Sequence, residues 1–194
     1  MSAVPSPDTI LAGIRLISWD VDGTLYHRGA LVRALLWDAV CHPSRWPDLF
    51  RLRRRERVLD RARATALLSD APPATVVSVA DDERLDDWLV QAIRKLKPRR
   101  GAMRVLTAAR ALGLVQIVLS DFSAERKIAA LGLTSYFAAF YTSRALGGLK
   151  PSPRPFVEIQ RRHAVLPEEH LHVGDRDDTD GAGARAAGAR LLIL

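Results

Sequence analysis

The sequence predicts an α/β protein built on a doubly wound, Rossmann-like parallel sheet, with a helical domain inserted into it. Three observations predict this. Short apolar runs recur along the chain, segments of helical character separate them, and residues 27 to 98 break the alternation. Strands that alternate with helices need crossover connections, which set parallel strands in one sheet with helices on both faces.

The first run is RLISW, Arg15 to Trp19, and Gly23 marks a sharp turn after it. LVQIVLS spans Leu114 to Ser120, HLHVGD spans His170 to Asp175, and ARLLIL closes the chain. Helical segments are expected over Met103 to Leu112, Ser123 to Leu131, Pro155 to His163 and Gly181 to Ala187. The tract GAGARAAGA within the last of these reads as a helix packed closely against a strand. Ligands of such folds sit at the carboxyl ends of the strands. Both acids of the DVD triplet, Ser120 and Asp175 fall there.

Residues 27 to 98 read as helices with a loop at DAPPATVVSV, residues 70 to 79. Asp81, Asp82, Glu83, Asp86 and Asp87 enrich the start of a helix that continues through Trp88, Leu89 and Ile93, where they suit the positive end of its dipole. Pro98 returns the chain to the sheet. The expected division is therefore a core of residues 1–26 and 99–194 with an insertion of residues 27–98. Trp37, Trp46 and Trp88 all lie in that insertion and are read as its packing, and Cys41 as a small buried filler.

Composition narrows the functional classes. The chain has 194 residues, 48% hydrophobic and 26% charged, which suits an ordinary globular protein. It has no 18-residue apolar run, and MSAVPSPDTI lacks the pattern of a signal peptide, so a cytoplasmic protein without membrane association is expected. A single cysteine excludes an internal disulfide and a cysteine-based metal site. The net charge of +7 owes most to RLRRRERVLDRAR, residues 51 to 63, with seven Arg against two acids. Leu52, Leu59, Ala62 and Ala66 recur at roughly helical spacing, leaving Arg54, Arg57 and Arg61 on another face. That face is read as solvated, with steering of an anionic substrate as its functional alternative. Nucleic acid is not expected as a partner, because no aromatic interleaving or reading motif accompanies the charge.

The stretch LISWDVDGTLYH, residues 16 to 27, ends a buried strand on two acids. Desolvated carboxylates cost free energy, and like charges close together raise at least one pKa unless a cation neutralises them. The oxygen-rich site suits Mg²⁺, which takes one or two carboxylates, waters and a phosphate oxygen. Asp20 and Asp175 are placed as the carboxylates. A carboxylate can also attack phosphorus, and an acid two residues on can protonate the leaving oxygen, which separates the roles of Asp20 and Asp22. Lys150 in GGLKPSP can hold negative charge, and Ser120 can hydrogen-bond a phosphate oxygen. The five histidines have no metal-ligand spacing and are assigned no chemistry.

At this point the chain resembles the haloacid dehalogenase superfamily, in its branch of magnesium-dependent phosphatases. WDVDGTLY, LVQIVLSD, GGLKPSP and HVGDRDDTDGAGARAAGA are similar to the four family motifs, in order. The resemblance implies that Asp20 is the nucleophile and Asp22 the general acid and base, which also ligates the metal through its backbone carbonyl. It implies that Ser120 and Lys150 bind the phosphoryl group, that Asp175 ligates Mg²⁺ and that Asp180 supports the metal through water. Gly23 and Thr24 belong to the phosphate loop, Thr24 ordering the backbone between the acids. Asp177 and Asp178 are read as solvated loop acids. The insertion is similar to a helical cap of the first type, which closes over the site and keeps water out.

Two departures stand out. The family's second motif reads Ser-Asn or Thr-Asn, whereas Asp121 follows Ser120 here, an acid that either weakens phosphate binding or points away. Relatives continue beyond the strand after the fourth motif, so an exposed sheet edge and a homodimer are expected. The implied function is a Mg²⁺-dependent phosphomonoesterase acting on a small phosphorylated metabolite through an aspartyl-phosphate. A phosphomutase would use the same residues, and a non-catalytic binding protein could keep the fold. Dehalogenase chemistry is disfavoured by Asp22, since dehalogenating relatives lack the second acid.

Overall fold

A computed structural model of the protein describes residues 7–65 and 82–194. A short helix α1 (Pro7–Leu11) precedes β1 (Leu16–Trp19). Three helices follow, α2 (Arg28–Cys41), α3 (Trp46–Thr65) and α4 (Glu83–Ile93), and they form the inserted cap. Helix α5 (Arg100–Ala111) leads to β2 (Val115–Ser120), α6 (Glu125–Ala130) and β3 (Ala139–Thr142). The chain ends through α7 (Arg154–His163), β4 (His170–Gly174), α8 (Ala182–Ala186) and β5 (Arg190–Ile193).

The five strands are all parallel, in the order β3-β2-β1-β4-β5. β1 lies at the centre, with Leu16 opposite both Val115 and His170, so every residue of LISW is buried and the strand has no solvent-exposed face. The chain runs from β1 outward through β2 to β3 and then crosses to β4 on the other side of β1, and this reversal opens a crevice at the carboxyl ends of the strands.

The apolar residues of the cap are not a separate core. Leu31 and Leu35 of α2, and Leu85, Trp88 and Ile93 of α4, join the cluster that includes Trp19 and Val173 of the sheet and Leu106 of α5. Asp82 caps α4, its carboxylate accepting from the Leu85 N–H at 3.1 Å, and the acids that follow meet the positive end of the dipole. Asp81, Ala66 and the loop expected at residues 70 to 79 lie outside the described residues.

Several expectations change. β3 went unread although it lies in the apolar stretch YFAAFY, residues 136 to 141, because so short a run has no period that separates strand from helix; its residues are half-buried at a sheet edge. Cys41 is exposed at the end of α2 rather than buried. Only Trp88 of the three cap tryptophans is packed inside, its indole N–H donating to Asp38 at 2.7 Å, while Trp37 and Trp46 are exposed. Gly181 belongs to a π-helical turn before α8, which does pack on the sheet as expected, Ala184 clustering with Leu16 of β1 and Ile117 of β2, and at Gly183 a Cβ would also stand 2.6 Å from the Phe156 ring of α7. In α3 the inward line is Arg55, Leu59 and Ala62, so one of the seven arginines is itself buried. No described helix is long and apolar enough to cross a membrane.

Candidate active site

The loop after β1 turns at Gly23, whose φ of +101° disfavours any residue with a side chain. A Cβ there would also lie 2.0 Å from Asp175 Oδ2, so the absent side chain lets two strand ends approach. The turn is held from outside by Arg99, which donates to the Gly23 carbonyl at 2.6 Å where the cap rejoins the core. Thr24 donates its hydroxyl to Asp20 Oδ2 at 3.2 Å, tying the loop to the first acid.

Lys150 reaches the same point from the loop before α7. Its buried ammonium donates to Asp20 Oδ1 at 2.5 Å, to Asp180 Oδ1 at 2.6 Å and to the Leu119 carbonyl at 3.4 Å. Burial alone would depress its pKa, but Asp180 and Asp20 outweigh that and hold it above the ordinary lysine range. Ser120, at the end of β2, is buried, and its Oγ accepts from the Phe122 N–H at 3.4 Å.

Asp20, Asp175 and Asp180 each offer a carboxylate oxygen, and these oxygens lie within 4.8 Å of one another. Burial raises the Asp20 carboxyl to about 7 despite Lys150, and burial with the neighbouring Asp180 raises Asp175. With all three ionised, the carboxylates exceed the single Lys150 ammonium by two charges, the charge of one divalent cation. The donors are all oxygen, and their residues fit Mg²⁺.

Asp22 is set apart from this cluster. Its carboxylate accepts from Lys127 Nζ at 2.6 Å and from the Tyr26 hydroxyl. Burial pushes its pKa up, yet Lys127 and Tyr26 together bring it down to about 2. The Tyr26 hydroxyl is driven well above its usual range by burial and by Asp22. Neither Lys127 nor Tyr26 was expected in the site. Tyr26 could have been found from its spacing, four residues beyond Asp22, but Lys127 lies 105 residues away and carries no such signal.

Of the histidines assigned no chemistry, His172 contacts Asp180, and His170 stands behind it through Ser18. His172 donates Nε2–H to Asp180 Oδ1 at 3.2 Å, so its bare Nδ1 accepts the Ser18 hydroxyl proton at 2.8 Å. Ser18 Oγ then accepts from His170 Nε2–H at 2.8 Å, and His170 Nδ1 faces the Gln160 amide at 3.4 Å. The chain of donors is consistent only with neutral rings. Burial indeed lowers both histidine pKa values, that of His170 to about 3. Asp180 Oδ2 takes the Arg176 N–H at 3.2 Å, and burial is outweighed by Lys150 and His172, which keep the acid well below the usual carboxylate range.

Asp121 is buried and lines the cleft beside Ser120 and Lys150, where its carboxylate is taken up by other groups. Arg63 of the cap donates Nε–H and Nη2–H to its Oδ2 at 3.1 and 2.7 Å, and the Lys150 N–H meets Oδ1 at 3.3 Å. Asp177 and Asp178 are exposed and paired with Arg185 and Arg176. Arg54 and Arg61 do not line the cleft under the cap, whereas Arg57 does, beside Arg53, Arg55 and Arg63.

Comparison with known proteins agrees with this arrangement. Residues 14–188 match the model of haloacid dehalogenase-like hydrolases. A glyceraldehyde 3-phosphate phosphatase of Methanopyrus kandleri is 36% identical over 96 residues, 48% of this chain and 41% of that protein. The haloacid dehalogenase-like hydrolase domain-containing protein 3 of Mus musculus is 31% identical over 132 residues, 67% of this chain and 52% of its own length. The chain thus spans about half the length of these two relatives, although the Homo sapiens form, 30% identical, is matched over 93% of this chain and 82% of its own. In fold it is similar to the L-2-haloacid dehalogenase of Xanthobacter autotrophicus, with a TM-score of 0.66 and 23% identity over 93% of this chain and 77% of that one. With its five-stranded parallel sheet, inserted helical cap and strand-end acids, the chain belongs to the haloacid dehalogenase-like hydrolases.

Proposed function

We propose that this hydrolase is a Mg²⁺-dependent phosphomonoesterase that works through an aspartyl-phosphate on Asp20. The observation that carries the reading is the meeting of Asp20, Asp175 and Asp180 around Lys150, with a second acid, Asp22, held separately by Lys127 and Tyr26. A dehalogenase needs no second acid held in this way. Phosphatase names among the relatives point in the same direction.

In this reading Asp20 attacks phosphorus and the bond from phosphorus to the ester oxygen breaks. Asp22 in its protonated form gives the leaving oxygen its proton. Water then attacks phosphorus, the bond to Asp20 breaks, orthophosphate leaves and Asp22 takes the proton from water. Asp22 held near 2 is ionised at neutral pH, which suits the second step, whereas the first step requires Asp22 to take up a proton when the substrate binds. Asp20, Asp175 and Asp180 with the Asp22 backbone carbonyl would hold Mg²⁺, which supplies positive charge to the phosphoryl oxygens. Lys150 and Ser120 orient the phosphoryl group, and the cap limits access of water.

The experiment is hydrolysis of para-nitrophenyl phosphate with Mg²⁺ and with EDTA, beside Asp20→Asn. Release of phosphate that needs the metal and vanishes in the variant is expected. Equal rates in variant and parent would overturn the mechanism. A phosphomutase would instead return the phosphoryl group to its product, which a labelled phosphate donor distinguishes.

A further inference from the structure

Between the cap and the strand ends lies a cleft of about 670 Å³. At about 30 Å³ for each water-sized group it has room for roughly twenty of them, more than a three-carbon phosphate fills. Its floor is polar, with Asp20, Ser120, Lys150 and Asp175. Much of its remaining wall is hydrocarbon, from Leu31 and Leu35 of α2, Leu52 and Leu59 of α3, Leu89 of α4, and Phe122 after β2.

The polar side chains along the cap are largely committed elsewhere. Arg55 pairs with Asp86 at 2.7 Å and lies over the Phe122 ring at 3.9 Å, Arg63 grips Asp121, and Arg28 pairs with Glu56. Arg53 and Arg57 also line the cleft but are exposed. Sugar hydroxyls laid against the leucines would lose hydrogen bonds to water without replacing them, at a net cost. A hydrocarbon body would cover the same wall and gain from its removal from water.

We infer that the substrate is a phosphomonoester whose alcohol carries an extended hydrocarbon body seated against the cap leucines. The inference rests on the phosphatase reading above for its phosphate end and on the cleft wall for the rest.

The test is a series of n-alkyl phosphates from ethyl to octyl, assayed for kcat/KM, with the matching n-alkylphosphonates measured for Kd by calorimetry. Both are expected to improve by about fourfold per methylene until the cleft is filled. Turnover of ethyl phosphate with no gain along either series overturns the inference and leaves the phosphatase reading intact. No turnover at all, with phosphonate affinity still rising with length, supports the hydrocarbon site and removes the phosphatase reading. Flat affinity without turnover overturns both. Leu36, which lines the cleft and is 46% exposed, tolerates a change without loss of core packing. Leu36→Asp is expected to cut the octyl-to-ethyl ratio at least tenfold, and an unchanged ratio overturns the assignment of the hydrocarbon to this wall.

Discussion

Arg63 of the cap closes on Asp121 of the core through two donors to one carboxylate oxygen, at 2.7 and 3.1 Å. The acid that departs from the family's usual asparagine is therefore neutralised by a residue 58 positions earlier, and the pair fastens α3 to the end of β2. Burial of Asp121 raises the stakes of this contact. Arg63→Ala leaves a buried carboxylate unpaired and is expected to cost about 3 kcal/mol of stability. Arg63→Ala with Asp121→Asn should recover most of that loss, because the charge is gone. Urea unfolding of the single and double variants measures both, and an additive double variant would rule out the coupling.

Lys127 and Tyr26 fix where the Asp22 carboxylate points, and proton transfer depends steeply on such placement. Lys127→Met is expected to lower kcat by roughly 10- to 100-fold with a smaller change in KM, and Tyr26→Phe to do so more mildly. Steady-state kinetics on para-nitrophenyl phosphate measures the split. A rise in KM at constant kcat would place Lys127 on the substrate instead of on Asp22.

Gly23→Ala puts a methyl group where Asp175 Oδ2 now lies, at a φ unsuited to alanine. Asp175 has to move, and with it one ligand of the expected metal site. The Mg²⁺ concentration for half-maximal activity should rise at least tenfold, on the order of a lost supporting contact at a metal centre. Titration of activity with Mg²⁺ tests this, and an unchanged midpoint would show that Asp175 is not a ligand.

His170 links stability to pH. Its folded pKa of about 3 lies below the ordinary histidine value near 6.5, so the unfolded chain binds the proton more readily. This contribution is complete above pH 6.5 and is lost as pH falls toward 3. Between pH 7 and pH 4 it amounts to about 3 kcal/mol at most. His170→Gln keeps a donor for Ser18 and cannot titrate. The parent should lose about 3 kcal/mol more than the variant over that interval in urea unfolding, and parallel losses would assign the acid sensitivity to other groups.

The sequence by itself determined the sheet and the positions of its chemistry. Apolar runs such as LISW and LVQIVLS must be buried, and acids placed directly after them arrive together at the carboxyl ends of parallel strands. Asp20, Ser120 and Asp175 were legible for that reason, while Lys150 was read from its charge in GGLKPSP and Asp180 from the resemblance of its motif to the family's fourth. β3 was not, since its short run YFAAFY has no alternation that tells strand from helix. Tertiary structure alone decided the partners. Lys127 on Asp22, Arg63 on Asp121 and the His170–Ser18–His172 chain behind Asp180 join residues from separate elements, and their pairing depends on distances that no local pattern encodes. The same holds for α3, whose arginines look alike in sequence. Packing buries Arg55, ties Arg63 to the core and leaves Arg54 in solvent, because a helix face acquires its role only from what it is pressed against.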